Sequence, residues 1–571
     1  MTDSAKSGFF KSLFGGRKTL VRKDIPLHIP LNVRTEKDAG LNVETMWNQV
    51  VQRQLGPLPL LHEANRYLEK INPLPLPYEQ RTRLSNMLLS ETVAAVGSLF
   101  ARFFQQGGGI PETREQRETI AQGVRAAEQL AISYKLLFRR DWADPDQSRP
   151  AQERMTLVAL RIFECARLEQ LLLAFRYQKL PQRTWRDVNQ LFFALRAAWD
   201  TEAKYPLKIQ WLVEDGMSRV ELFPKTANLQ QLYLSIQLTG LLDVISWPVH
   251  LAYRSDGYLS AVENPLVDDE DRLGDIPAGF GIIYRDHGGP PRFSRSQELS
   301  GETLLIDLNP FIRMAAQDRA ALAFSAGGPA LSAALQEMPK GNRAPFLDLL
   351  LHRLQPQQRH ERRQRVFNGR HARVYGGFEA VYRLFHDIGN QDKDRKRVME
   401  ERRFWDTLAE HTNIVADSVD GLAEPRWIIA DEGSGGIQLH AQEGEYGIPI
   451  YIGRLVAYNS GAEDLAASNL GYVVRLQRTG VDEVEIAIAR LREKIYPAAV
   501  EGQGAKGQQS LPALLIRAVD GKWQLLCDNK HRFKIGDRVT VVYEGHREKH
   551  ALGDALIAQA DFTVFELHDA A

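Results

Sequence analysis

The hydrophobic period of this chain changes from that of helices to that of strands at about residue 357, so one polypeptide must hold at least two architectures. From about residue 41 to 204, apolar residues recur at helical spacing opposite charged faces. The first such stripe spans Val43–Leu68, where Pro57 and Pro59 are expected to break or kink the helix midway, and it ends by Asn72-Pro73. Three prolines in Asn72–Tyr78 force an extended connection. Further helical patterns cover Glu79–Gln106, stopped by Gly107-Gly108-Gly109, then Glu112–Phe138, Ala151–Tyr177 and Gln182–Ala203. Asp141–Pro150 is polar and proline-bearing, as a helix–helix connection should be. No single period repeats, so the spacing predicts a bundle or helical stack rather than a solenoid.

Residues 205–356 are mixed. Gln230–Ser246 reads as a buried apolar helix, and His250–Tyr253, Gly281–Tyr284 and Thr303–Leu308 read as short strands. The acidic run Asp268-Asp269-Glu270-Asp271 lacks the glycine and terminal glutamate spacing of a calcium loop, so a solvated loop is expected there and no metal site. A helix pair, Pro310–Phe324 and Ala330–Leu354, leads on. After 357 the strand candidates are Ala372–Leu384, Arg426–Ala430, Gly435–His440, Leu455–Tyr458, Gly471–Thr479, Glu483–Leu491, Ala513–Ala518, Trp523–Cys527, Arg538–Gly545 and Asp561–Leu567, with a helical insertion at about Asp392–His411. Gly502–Gln508 reads as a flexible linker between two small barrels. The expected whole is a multidomain α+β chain: a flexible segment 1–40, a helical bundle or stack at 41–204, a mixed α/β domain at 205–356, an antiparallel barrel with a helical insertion at 357–495, and a second small β-barrel at 508–571.

Composition excludes several functions. Hydrophobic residues make up 44% and charged residues 25% of 571, the balance of a folded soluble protein. Lys+Arg and Asp+Glu both number 72, so no global basic excess argues for a nucleic-acid polymer as partner. The two cysteines, Cys165 and Cys527, form no metal or disulfide pattern and fit a reducing, cytoplasmic setting. There is no apolar run long enough for a transmembrane helix. Residues 6–18 place Phe9, Phe10, Leu13 and Phe14 among Lys6, Lys11, Arg17 and Lys18, which suits either a frayed terminus or a small amphipathic peptide with weak membrane-surface or partner contact. The P-loop, zinc-protease and hydrolase-elbow motifs are absent, no catalytic constellation is found, and the chain is not expected to be an enzyme or to carry a cofactor. Gly502-x-Gly504-x-x-Gly507 precedes a strand instead of following one, so it is no dinucleotide fingerprint.

The densest chemical signal is the basic run Arg359-His-Glu-Arg362-Arg363-Gln-Arg365, which contains a literal RxxxR from Arg359 to Arg363. A second element, Asp431-Glu-Gly433-Ser434-Gly435-Gly436, follows the insertion. Taken alone, the first could be a solvated face or a salt-bridge set, and the second a glycine-rich strand turn. Their order resembles the PilZ family, whose signature is an arginine RxxxR segment followed by D/NxSxxG on a six-stranded barrel. Gly471-Tyr-Val-Val-Arg475 is similar to a G-x-V-x-W/R strand of such barrels. The second motif departs from the family: Gly433 stands at the serine position and Ser434 one residue later. The order of helical body, mixed middle, arginines and barrels also resembles large bacterial PilZ-containing cyclic di-GMP receptors.

The resemblance implies a cyclic di-GMP receptor, with Arg359, Arg362, Arg363 and Arg365 clamping phosphates and stacking on guanines, and with Asp431, Gly433, Ser434 and Gly436 wrapping a purine. The chemistry suits those residue types. Arginine offers a planar charged fork for phosphate and a face for a base. A carboxylate can accept from guanine N1–H and N2–H. Glycines admit unusual backbone angles and close approach. The same resemblance leaves a second possibility, a ligand-free scaffold in which the helical body binds cytoplasmic protein partners and the barrels act as adaptors.

Overall fold

The computed structural model describes residues 25–29, 48, 55–106, 113–143, 148–196, most of 201–354, 370–391, 427–442 and 449–569, with short breaks inside several of these ranges. Among the described residues the helical part holds α1 (Pro57–Ile71), α2 (Tyr78–Gln106), α3 (Arg114–Ala143), α4 (Arg149–Phe175) and α5 (Gln182–Arg196). Pro57 and Pro59 stand at a break rather than a kink, since residues 55–56 are not helical. They start α1, where a missing N–H costs nothing. Asn72 caps its far end, its N–H reaching the Leu68 carbonyl. α1 lies parallel to α3 in a register set by two matching clamps. Asn65 Nδ2 donates to the Gln122 carbonyl (2.9 Å) and side chain (2.8 Å), and one heptad later Asn72 Nδ2 does the same to Gln129 (2.9 and 3.0 Å).

Helix α4 is the axis of this body. It is buried from Met155 to Phe175 with few breaks, so it is enclosed on every side rather than along one stripe. Its buried charges face the middle region. Arg161 pairs with Glu164 and donates to the Pro206 carbonyl (3.1 Å), while Glu164 accepts from Lys208 N–H (2.6 Å). Arg167 donates to Gln170 (2.6 Å) and Thr239 (2.8 Å) and lies 3.3 Å from Asp256. Burying so much polarity is tolerable only because it is paired. A single hydrophobic core therefore runs from Ile25 to Leu354, across the boundary expected near residue 204.

The middle region holds two two-stranded antiparallel sheets, β1 (Tyr205–Pro206) with β4 (Thr226–Ala227) and, between them in sequence, β2 (Leu212–Glu214) with β3 (Arg219–Glu221). It also holds a four-stranded sheet of β5 (Leu266–Asp268), β8 (Thr303–Asp307), β6 (Phe280–Tyr284) and β7 (Arg292–Phe293). The helix expected over Gln230–Ser246 is α6 (Leu229–Leu241), stopped where Asp243 turns left-handed (φ 51°) ahead of a 3-10 turn, Val244–Ser246. Of His250–Tyr253, expected as a strand, His250–Ala252 belong to a short helix, α7 (Val249–Ala252), followed by α8 (Ser255–Leu259), and Tyr253 lies outside the described residues. Four apolar-rich residues are too few to separate the two periods. Helices α9 (Asn309–Leu322), α10 (Ala333–Gln336) and α11 (Lys340–Leu354) complete the body, the last two replacing the single helix expected over Ala330–Leu354. Among the described residues no helix is long and apolar enough to cross a membrane.

The remainder forms two closed, six-stranded antiparallel barrels. The first is built from β9 (His371–Gly376), β10 (Trp427–Gly433), β11 (Gly436–Gln442), β12 (Leu455–Asn459), β13 (Asn469–Arg478) and β14 (Glu483–Leu491), in the order β10-β11-β14-β13-β12-β9. The second is built from β15 (Lys494–Gly504), β16 (Gly507–Arg517), β17 (Trp523–Asp528), β18 (Arg538–Tyr543), β19 (His546–Ala558) and β20 (Phe562–Asp569), in the order β15-β16-β17-β20-β19-β18.

Two expectations change here. Gly502–Gln508 is no linker: it spans the hairpin of β15 and β16, whose pairing reaches Gly504 opposite Gly507, and the second barrel starts at Lys494. The strand expected over Ala372–Leu384 stops at Gly376. Ala372, Val374, Gly376 and Phe378 keep a period of two, but Gly377 adopts φ +91° and turns the chain into α12 (Phe378–Gln391). Phe378, Val381, Tyr382 and Phe385 of α12 pack on Leu455, Ala457 and Leu470 of the first barrel and on Leu514, Leu526 and Phe562 of the second, so the helix and both barrels share a core. The insertion expected at Asp392–His411 and the peptide 6–18 lie outside the described residues.

One buried acid in the body carries a pH signature. Glu169 of α4 accepts from Thr184 Oγ1 (3.0 Å), and burial, with Glu128 adding to it, pushes its carboxyl up to about 7. The folded state thus holds a proton that the unfolded chain releases near its ordinary value of 4.5. The stability tied to that proton is fully present below 4.5 and is lost as pH rises through about 7. Melts of Glu169→Gln should match the parent at the acid end and exceed it at pH 8. Parallel curves across that window would contradict the assignment.

Candidate functional site

The first barrel turns alternate residues inward. Trp427, Ile429, Ile437, Leu439, Val473, Leu476, Ile486 and Ile488 fill it, and the residues between them face out. Register decides which outward residues meet. It slips by one between Ile429 and Asp431 on β10 and again between Val473 and Arg475 on β13. Such bulges re-aim side chains and are common beside functional sites. The residue after each slip falls in one cross-strand row, Asp431–Gln438–Ala487–Arg475. The neighbouring row is His371–Ile428–His440–Glu485–Gln477.

These rows make a half-exposed platform on β10, β11, β14 and β13. Glu485 is its buried anchor, 3.1 Å from Arg475 and 3.7 Å from His440. Arg475 also donates to Gln477 (2.9 Å). Ile428 is 46% exposed, an uncommon apolar surface among charges, and Ala487 leaves the centre low. The platform thus offers an acid, a guanidinium, amides and an apolar shelf within one patch. That inventory can hydrogen-bond a purine edge, pair with a phosphate and support a base. Among the described residues no cluster of His, Cys, Asp and Glu could hold a metal ion.

Of the residues picked out by sequence, Asp431 lies on the platform, and Gly433 and Gly436 pair with each other at the base of the adjoining hairpin. Both glycines are strand residues, so the unusual backbone angles expected of them are not their role. A side chain on Gly433 would meet open space. At Gly436 a Cβ would fall 2.0 Å from the Ile488 carbonyl oxygen, so glycine is needed there for β11 to approach β14, not to admit a ligand. Ser434, Arg359, Arg362, Arg363 and Arg365 lie outside the described residues.

The described chain that follows that arginine segment reaches the platform. Arg370 accepts at its carbonyl from Ile429 N–H (2.9 Å), and His371 pairs with Ile428. At the other end, Arg353 of α11 donates to Ser246 Oγ (2.6 Å). Burial pushes its guanidinium down, Asp243 opposes this and the nearby Arg475 adds to it. The body also enters the barrel itself. The Tyr177 side chain joins the barrel core, and the Tyr177 carbonyl accepts from Arg478 N–H (3.2 Å).

The part of the chain that meets the barrel here has a known counterpart. Residues 56–248 match the family described as cyclic-di-GMP receptor FimW, N-terminal domain. The FimW match runs from the start of α1 to just past the 3-10 turn, and so covers α1 to α6 with Tyr177 and Ser246. It stops short of the barrels. No curated protein and no solved structure matches the chain.

Sequence reasoning passed over Ile428, Gln438, His440 and Glu485 as site residues and noted Arg475 only within a strand pattern. The first four carry no motif. Their meeting depends on cross-strand register and on two one-residue slips, which a strand pattern does not encode.

Proposed function

We propose that this protein is a cyclic di-GMP receptor whose site is the platform of the first barrel, completed by Arg359, Arg362, Arg363 and Arg365. In this reading the barrel is PilZ-like. The arginines clamp the phosphates and stack on the guanines, Asp431 accepts from one guanine edge, and the hairpin of Gly433, Ser434 and Gly436 borders that base. The observation that carries the proposal is the convergence at one platform of Asp431, Arg475 and His371, where the described chain resumes after the arginine segment. The FimW match of the adjoining body supports it independently, since that family is described as a receptor for the same dinucleotide.

The platform strand β13 carries Arg475 and also Arg478, whose N–H meets Tyr177 of the body, so ligand would bias the body–barrel arrangement and present the helical body to a cytoplasmic protein partner. No bond is made or broken in this scheme. Calorimetric titration with cyclic di-GMP tests it. The parent should bind, Arg363→Ala should lose about 1.5–3 kcal/mol, the worth of a hydrogen bond to a charged group, and Arg359→Ala/Arg363→Ala should lose binding almost wholly. Unchanged affinity in the double variant would remove the arginines from the site. Absence of any binding by the parent would leave the barrels as adaptors without a nucleotide.

A further inference from the structure

A second site lies where the first barrel passes into the second. The ends of β13, β14, β15 and β16 line an open cleft of about 660 Å³, within the size range of small-ligand sites. Its polar wall is cationic: Arg490, Lys494 and Arg517 all line it. Arg490 is already held, its guanidinium 3.2 Å from Glu432 and its Nε donating to Tyr458 Oη (2.8 Å).

Lys494 and Arg517 are different. They stand directly opposite each other across β15 and β16, both exposed, and neither has an acidic partner among the described residues. Like charges placed opposite on a sheet destabilise the pairing. Here the cost is borne at the mouth of a cleft, where an anion could relieve it. Arg517 also lies 5.5 Å from the centroid of the Trp523 ring, which orients its guanidinium beside an aromatic face. Leu491 and Ile495 supply an apolar wall next to the cations.

We propose that this cleft binds a nucleotide carrying at least two phosphate charges, with the phosphates between Lys494 and Arg517 and the base against Leu491 and Ile495. The site is separate from the barrel platform: it draws on β15 and β16, and none of its cations belongs to the platform rows. The source of the nucleotide could be a free nucleoside diphosphate or a cyclic dinucleotide, which share this chemistry.

The test uses the full chain carrying Arg359→Ala/Arg363→Ala, so that the arginine segment contributes nothing. Inorganic pyrophosphate, GDP and cyclic di-GMP are titrated in turn while tryptophan emission is followed, with Trp523→Phe identifying the responding ring. GDP should bind more tightly than pyrophosphate, and Lys494→Gln/Arg517→Gln should weaken both at least about tenfold, as expected for loss of charged hydrogen bonds. The same variant removes a like-charge pair, so it should melt no lower than the parent, which separates lost binding from lost folding. A cyclic di-GMP response that falls in step would identify the dinucleotide as an occupant, and a response to GDP alone would identify the mononucleotide. Binding that is absent, that ignores Lys494→Gln/Arg517→Gln, or that is no tighter for GDP than for pyrophosphate would overturn the proposal.

Discussion

Replacing Asp187 by alanine should cost the helical body about 3–5 kcal/mol, because it leaves a buried ammonium without its counter-charge. Lys135 Nζ lies 2.5 Å from Asp187 Oδ2, joining α3 to α5, and both side chains are almost wholly out of water. The other carboxylate oxygen accepts from His28 N–H (2.9 Å), so the same residue ties the stretch 25–29 to the body. Ile25 of that stretch is itself part of the core. The penalty belongs to the stranded charge rather than to the attraction, since desolvating two ions offsets most of what they gain from each other. Lys135→Met/Asp187→Leu should therefore be far milder than Asp187→Ala alone. Denaturant unfolding of the single and double variants measures the difference directly. A double variant as unstable as Asp187→Ala would show that packing around α5, not charge, sets the cost.

The pair also marks the limit of sequence reading. The helices themselves were legible, because Leu61, Leu68 and Ile71, or Leu84, Leu88 and Val96, repeat at helical spacing and are buried as that spacing demands. What the spacing could not convey is partnership. Lys135 and Asp187 look like ordinary surface charges on two amphipathic faces until the helices pack. The same holds for α4, whose Arg161, Glu164 and Arg167 are charged in sequence yet buried in the fold.

In the barrels, alternation gave most strands, and glycine punctuation misled in both directions. Gly377 ended a strand that alternation carried on, while Gly502, Gly504 and Gly507 suggested a linker where two strands pair down to their turn. Of the proposed site, Asp431 was visible through its motif, but its companions on the platform were not. Two bulges, next to Asp431 and next to Arg475, set which side chains share a row, and a bulge costs one residue that no hydrophobic pattern reports.

In the proposed receptor those rows matter only if the barrel and body are coupled, and Tyr177 of the body enters the barrel core. It follows α4 in a left-handed conformation (φ 56°), which a non-glycine residue adopts at a cost. That turn carries its ring out of the body and into the core of the first barrel, where it is 2% exposed. Tyr177→Ala should cost about 3–5 kcal/mol, the usual loss for truncating a buried aromatic side chain, and the loss should fall on barrel docking. The carbonyl contact to Arg478 N–H would survive the substitution, so the ring is the variable. If Tyr177 transmits ligand occupancy, cyclic di-GMP should still bind the Tyr177→Ala barrel yet no longer alter amide exchange in α4 and α5, because coupling requires an element whose equilibrium both parts bias. Hydrogen exchange on the parent and variant, each with and without ligand, reads this out. Persistent ligand-dependent protection of α4 in Tyr177→Ala would show that the coupling does not pass through the Tyr177 ring.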